Sequence, residues 1–211
     1  MRAAALLTGL ALAALSPTQV LADEDPAHPR AEHQADDNGT DPTRVSRSVQ
    51  LKYEHIAYRQ GFSSDTLRLW YTQPLGNGFS VGFKLPVTQV DLPNGNGSGL
   101  GDVSILAGKV FGLTKEGGHV LQAEVFFDTA TRPELGAGNS VLKATYVRAL
   151  FLENHDIFAP SFVQSVSLLS GADRPKINLT TVDFYYVPKM EDPRNLVTFD
   201  PNLNLLAPTE I

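Results

Sequence analysis

The chain has 211 residues, with 17 Lys and Arg against 23 Asp and Glu, no cysteine and a formal net charge of −6 at pH 7. The lack of cysteine excludes a disulfide scaffold, a thiol nucleophile and a thiolate metal site. The acidic balance argues against nucleic acid as a partner, because binding its phosphates requires clustered cations.

The first 22 residues predict a secretory signal peptide. Arg2 precedes an apolar run that extends from Ala3 to Leu15, and the small-residue site Val20-Leu21-Ala22 comes before Asp23. The run is shorter than the roughly 20 residues of a spanning helix, so a retained helical anchor is the weaker alternative. No later segment is long and apolar enough for such a helix. We therefore expect an exported chain that begins at Asp23.

Residues 23–44 predict a disordered acidic leader. They hold seven acidic residues, three prolines and no aromatic residue. Such a segment cannot bury enough apolar surface to offset the entropy lost on ordering. His28 and His33 lie among these carboxylates, but loose metal binding is the weaker interpretation because no rigid shell would hold the ligands.

From Val45 onward, apolar and polar residues alternate with a period of two, which predicts β-strands. In the first segment, for example, Val49 and Leu51 alternate with Gln50 and Lys52. We expect nine strands, at residues 48–58, 66–75, 79–85, 102–108, 119–129, 140–152, 157–169, 177–187 and 196–206. Most exceed the usual strand length of about 5 to 6 residues and approach the roughly 9 to 11 of a tilted membrane-spanning strand.

A glycine-rich stretch, LPNGNGSGLGDVSIL, interrupts this series between Leu92 and Leu106. Its G-x-G-x-G-x-G spacing differs from the dinucleotide fingerprint, and no Gly-Lys-Ser/Thr triplet follows it. Phosphate binding would also need a helix N-terminus, whereas the stretch leads into a strand. We therefore expect residues 94–101 to form a flexible loop between two strands.

Aromatic residues cluster near the ends of the predicted strands. In a membrane barrel they would form the girdles at the two interfaces, whereas in a soluble β-sandwich they would belong to the core. They are Tyr58, Trp70, Tyr71, Phe79, Phe151, Phe158, Tyr185 and Tyr186.

Three elements resemble a known family. These are Ser98-Gly99-Leu100-Gly101-Asp102 before an alternating strand, the strand segment Val182-Asp183-Phe184-Tyr185-Tyr186-Val187-Pro188, and Phe199-Asp200-Pro201. They are similar to the outer-membrane proteins of the MetA pathway of phenol degradation, over roughly residues 45–205. The resemblance implies an outer-membrane β-barrel associated with uptake of small, often aromatic, compounds. It implies no catalytic residues.

The chain also departs from that pattern. Nine strands are an odd number, whereas single-chain bacterial barrels close with an even one. Family members usually continue beyond the Phe-Asp-Pro element, and this chain ends in LAPTEI. We therefore expect an all-β, antiparallel, up-and-down transmembrane β-barrel that is incomplete, either as a truncated product or with its last strands supplied differently. An unclosed barrel would expose unpaired backbone groups to lipid at several kcal/mol each.

If the apolar faces of the strands meet lipid, the charged residues on the opposite faces are candidates to line a lumen. Both signs are present, which suits a polar passage or a plug better than a single-sign selectivity filter. The alternative is that each is merely solvated on one face of a sheet. The candidates are Lys52, Glu54, Arg68, Lys84, Asp102, Glu124, Asp128 and Lys143.

Enzymatic motifs are absent from the sequence. It has neither a G-x-S-x-G elbow nor an H-E-x-x-H metal site, and His55, His119 and His155 have no companion motif. Glu124 and Asp128 would lie about 13 Å apart along a strand, too far for a shared acid/base site. We expect no catalytic activity, no cofactor and no bound metal.

The first hypothesis is therefore a channel-like or transporter-like barrel in the outer membrane of a Gram-negative bacterium. Its partners would be outer-membrane lipid and a small, aromatic or apolar solute, with the oligomeric state left open. The second is a soluble periplasmic β-sandwich or barrel that binds a ligand or partner. The third is an outer-membrane lipid hydrolase, whose Ser and His would meet only in space.

Overall fold

The computed structural model of the chain describes residues 40–58, 61–92, 95–170, 176–190, 192, 195 and 197–206. The predicted signal peptide and residues 23–39 of the predicted leader lie outside this part of the chain. No helix in the described part is long and apolar enough to cross a membrane.

Within the described residues, ten antiparallel strands form one sheet. They are β1 (Ser48–Ala57), β2 (Ser63–Gly76), β3 (Phe79–Leu92), β4 (Gly95–Leu100), β5 (Ser104–Thr114), β6 (Gly117–Phe126), β7 (Asn139–Phe151), β8 (Ile157–Ser170), β9 (Asn178–Val187) and β10 (Asn202–Leu206). Each strand pairs with the next along the chain, except that β4 and β5 share β3. A single turn of 3₁₀ helix, Pro133–Leu135, lies between β6 and β7. The predicted all-β, antiparallel, up-and-down fold is confirmed.

One strand lies where a loop was expected. Gly95–Leu100 forms β4, which folds back on the second half of β3, with Gly95 opposite Leu92 and Leu100 opposite Val87. The first half of β3 pairs with β5. The prediction of a flexible loop is therefore wrong for these six residues, while Asn94 lies outside the described residues. The described part of the sheet has ten strands where nine were expected.

The two faces of the sheet differ in chemistry and in exposure. Along β5, Ile105 is 55% exposed while its neighbour Ser104 is fully buried. The face of Ile105 is therefore open, while other parts of the chain cover the face of Ser104. We call this face, which also carries Thr88 and Glu124, the polar face. The apolar face carries large exposed side chains on most strands, among them Leu51, Phe83, Ile105, Leu121, Phe162, Phe184 and Leu203.

The outermost strands of the sheet are β1 and β10, and β4, which pairs with β3 alone, also has one edge that no described strand pairs. The strand order begins at β1 and ends at β10, and no Cα of one comes within 8 Å of a Cα of the other. Across the described residues the strands thus form an open sheet. Its architecture is compatible with a barrel, whose closure stays a prediction.

The strands are connected at two ends of the sheet, called here the turn end and the loop end. At the turn end, β2, β5 and β7 are joined to the strands that follow them by tight turns of two to five residues. The first of these turns uses positive φ angles at Gly76, Asn77 and Gly78, which suits a tight hairpin. β9 also ends at the turn end, where residues 188–201 separate it from β10. At the loop end the connections range from residues 93–94 to residues 127–138, and the latter is called here the β6–β7 loop.

Asp156 anchors the β7–β8 turn to the chain that leaves β9. Its carboxylate accepts hydrogen bonds from the Tyr186 hydroxyl, from the Lys189 backbone N–H at 2.8 Å and from the Asn154 amide at 2.5 Å. The bond from Tyr186 contributes most to holding the pKa of Asp156 below its usual value. At the same end Thr43, in the last part of the predicted leader, is buried and lies close to Gly118.

Candidate functional site

The β6–β7 loop folds over the polar face at the loop end of the sheet. The Thr131 backbone N–H donates to the Leu100 carbonyl oxygen at 3.0 Å, and Leu135 is buried beside Gly99 and Gly101. The loop therefore crosses β5 in space and rests on β3 and β4. It covers part of the polar face.

The alternating glycines provide the surface on which this loop rests. A Cβ added to Gly97 would lie 3.1 Å from Glu134 Oε1, and one added to Gly101 would lie 3.1 Å from the Leu135 carbonyl oxygen. At Gly99 it would overlap the Thr131 side chain. Successive strand residues point to opposite faces, so a glycine at every second position leaves one face of the strand bare. The glycine spacing thus signals a strand packed closely under another segment.

Asp102 fastens the loop to the start of β5. Its carboxylate accepts hydrogen bonds from three backbone N–H groups of the loop: Thr129 at 3.2 Å, Ala130 at 3.1 Å and Ala137 at 2.7 Å. Gly136 fits closely beside it, because a Cβ there would lie 2.6 Å from Asp102 Oδ1. Asp102, predicted as a lumen-lining strand residue, therefore lies in a connection and holds the loop in place.

Replacing Asp102 with alanine is expected to release the β6–β7 loop. The three N–H groups would lose a charged acceptor. We expect the free energy of opening the loop to fall by about 1 to 3 kcal/mol, since water replaces only part of the lost hydrogen bonding. Hydrogen exchange of the Thr129, Ala130 and Ala137 amides should become faster. Asp102→Asn, which keeps one acceptor oxygen, should show a smaller change. Equal exchange rates in Asp102→Ala and the parent chain would show that other contacts hold the loop.

A cavity of about 410 Å³ lies on the polar face beneath the loop. This volume falls within the roughly 300 to 1,000 Å³ typical of small-molecule sites. Its apolar walls include Tyr58, Phe62, Pro86, Phe126 and Leu135. Its polar lining includes Thr66, Arg68, Lys84, Thr88 and Ser104. Tyr58 and Phe62 stack with their ring centroids 4.6 Å apart, between β1 and β2.

A buried ion pair underlies the cavity. Lys84 Nζ lies 2.8 Å from both carboxylate oxygens of Glu124, and the Ser104 hydroxyl donates to Glu124 Oε1 at 2.6 Å. Glu124 is only 1% exposed. Lys84 Nζ also lies 4.5 Å from the centroid of the Trp70 ring, where the ring face attracts the ammonium charge. These contacts hold Lys84 in one position at the cavity.

The structure places six of the eight predicted lumen residues on the polar face. Lys52 lies opposite Arg68 on neighbouring strands, Glu124 lies opposite Lys143, and Glu54 and Lys84 share this face. Asp128, like Asp102, is outside the strands, because β6 ends at Phe126. Its backbone N–H donates to the Ser140 hydroxyl at 3.4 Å. That these residues line a lumen stays a prediction.

Three of the predicted residues come together at the cavity. Arg68 and Lys84 line it, and Glu124 binds Lys84. Sequence reasoning did not single out Ser104, Trp70 or Leu135 for the site. Alternation placed Ser104 on the polar face, but no sequence signal indicated that it would donate to Glu124. Leu135 lies in a loop without periodicity, so nothing in the sequence indicated its burial.

The described histidines have other partners. His55 Nδ1 lies 2.8 Å from Asp65 Oδ1. The His119 ring lies between the Tyr146 hydroxyl at 2.7 Å and the Arg148 guanidinium at 2.9 Å. His155 Nδ1 lies 3.2 Å from the Glu153 carbonyl oxygen. Within the described ranges no group of three His, Asp or Glu side chains is arranged to hold a metal ion.

Comparison with known proteins gives no relative: no family model, no curated protein and no solved structure matches the chain. The resemblance to the MetA-pathway outer-membrane proteins therefore stays a prediction.

Proposed function

We propose that the chain is an outer-membrane β-barrel that admits small solutes through the space enclosed by its polar face. The observation that carries this proposal is the exposed apolar face. Leu51 is 60% exposed and Phe162 is 50% exposed, and similar side chains occupy neighbouring strands. Soluble monomers rarely expose contiguous apolar patches of such extent, whereas membrane barrels present an apolar band to lipid.

The polar face supports the proposed passage of small solutes. It encloses a cavity with charged and hydroxyl side chains, and the β6–β7 loop folds inward over it. Larger barrels of outer membranes have polar interiors, often narrowed by an inward-folded loop. A solute crossing here would pass between the β6–β7 loop and the β2–β3 wall.

Lipid places one requirement on this proposal. Backbone groups left unpaired in hydrocarbon are costly, so the edges at β1 and β10 must become paired in the membrane. A closed barrel in lipid usually migrates faster on gels before boiling than after it. Heat-modifiable migration is therefore the signature of closure.

The proposal is tested by fractionating cells that express the full chain, followed by gel mobility with and without boiling and by solute flux into liposomes. Recovery in the outer membrane, heat-modifiable migration and flux above that of empty liposomes are expected. Recovery as a soluble periplasmic protein would contradict the proposal and favour the binding-protein alternative. Hydrolysis of an acyl ester without flux would favour the hydrolase.

A further inference from the structure

We infer that the cavity beneath the β6–β7 loop binds a small organic monocarboxylate, with Arg68 as the principal anchor of its carboxylate. This inference rests on the proposed function and names the class of solute that the passage selects. It follows from an unpaired cation, a fixed cation beside it and an apolar wall, all lining one cavity.

Arg68 is the unpaired cation. It lies at the centre of β2, is half-buried and lines the cavity. Among the residues that the structure describes, no hydrogen bond or ion pair satisfies its guanidinium. A partly desolvated guanidinium without a partner favours an anion, and its planar fork matches the two oxygens of a carboxylate.

Lys84 adds a second positive charge at a fixed position. Its ammonium group is held by Glu124 and by the Trp70 ring, so little entropy is lost when an anion approaches. The single Glu124 charge faces Lys84 directly, while Lys143 lies opposite Glu124 on the next strand. On the β2–β3 wall, Arg68 and Lys84 are the charged side chains that line the cavity, and of the two only Lys84 is paired with a carboxylate among the described residues.

Two acids also line the cavity, on the side of the loop. Asp102 is engaged by three backbone N–H groups, and Glu134 lies 3.8 Å from Arg132. Both are therefore occupied within the connections that cover the cavity. An anion would bind on the β2–β3 wall, and the rest of the molecule would point away from it.

The apolar walls indicate that the anion has an apolar body. The Tyr58 and Phe62 rings stack at one side of the cavity, and Pro86, Phe126 and Leu135 complete the walls. A small hydrated inorganic anion would leave these surfaces in contact with water. A monocarboxylate with a flat or compact hydrocarbon body would cover them and gain burial free energy.

The experiment is a binding titration of the full chain in detergent micelles with benzoate, and with benzamide as its uncharged counterpart of nearly the same shape. The chain has a single tryptophan, Trp70, in contact with Lys84, so its fluorescence reports on the site. Benzoate is expected to give a saturable change, benzamide to bind roughly tenfold or more weakly, and acetate to bind weakly because it lacks the apolar body.

Three variants test the role of Arg68. Arg68→Met is expected to weaken benzoate binding roughly tenfold or more, and Arg68→Lys to restore part of it. Lys52→Met is the matched control. It also removes one positive charge, at the residue opposite Arg68 on β1, but Lys52 does not line the cavity. It should bind benzoate like the parent chain. If Arg68→Met does not fold, the benzoate-to-benzamide ratio in Arg68→Lys tests the same point.

The inference would be overturned if benzamide bound as tightly as benzoate, if acetate matched benzoate, or if Lys52→Met weakened binding as much as Arg68→Met. Flux through liposomes without saturable benzoate binding would overturn it as well and leave the proposed function intact. Arg68-dependent benzoate binding by a soluble periplasmic protein would support the site and contradict the membrane barrel.

Discussion

Replacing Phe83 with arginine is expected to lower the free energy of unfolding in a bilayer by about 2 to 4 kcal/mol. Phe83 is the middle residue of five successive apolar positions on the apolar face of β3, from Phe79 to Val87, and is 40% exposed. If this face meets lipid, the arginine charge must either lie in hydrocarbon or reach the interface by bending the side chain away from its position. In water, an exposed substitution of this kind changes stability by only about 0.5 kcal/mol.

Phe79→Arg is the matched control for this prediction. It changes the same residue type on the same strand and face, but Phe79 lies four positions away, beside the turn, about 13 Å along the strand. Near the interface the same charge should cost about 0 to 1 kcal/mol. Both variants are compared by denaturant unfolding in lipid vesicles, with gel mobility as the readout. Equal and small losses of unfolding free energy in Phe83→Arg and Phe79→Arg would contradict a lipid-facing sheet.

Replacing Glu124 with alanine is expected to cost about 3 to 5 kcal/mol of stability. Among the described residues, Glu124 is the only carboxylate bonded to Lys84, and its removal also leaves the Ser104 hydroxyl without its acceptor. Lys84 is mostly buried, so its ammonium group would remain poorly solvated beside Arg68 and Lys143. Denaturant unfolding of the folded protein measures the loss.

The double variant Lys84→Met/Glu124→Leu separates this ion-pair effect from a loss of packing. Replacing both partners with apolar residues of similar size should recover most of the stability, because a buried ion pair barely offsets its own desolvation. Glu124→Gln, which keeps the shape and an acceptor for Ser104, should fall between the parent chain and Glu124→Ala. A loss below about 1 kcal/mol in Glu124→Ala would show that water reaches Lys84 freely.

The fold class was predictable because it depends on local alternation. In β3 the apolar Phe79, Val81 and Phe83 alternate with Ser80 and Gly82, and successive strand residues point to opposite faces whatever the rest of the chain does. Alternation alone placed Lys52, Glu54, Arg68, Lys84, Glu124 and Lys143 on one face.

The ends of strands were harder to predict. Asp102 and Asp128 have the alternation of polar-face residues, but β5 begins at Ser104 and β6 ends at Phe126. Where a strand ends depends on whether a neighbouring strand is still there to accept its hydrogen bonds. The position of a neighbouring strand is not encoded in the local sequence. β5 therefore begins only at Ser104, and Asp102 binds the β6–β7 loop.

The sequence by itself determined the all-β class and the two faces of the sheet, since each follows from residues within a few positions of one another. Only the tertiary structure decided that the alternating glycines form β4 beneath the β6–β7 loop, that Leu135 covers a cavity, and that Lys84 meets Glu124, 40 residues away in the chain. These contacts depend on strand register and on the path of a long loop across the sheet, and no periodic pattern in the sequence encodes either one.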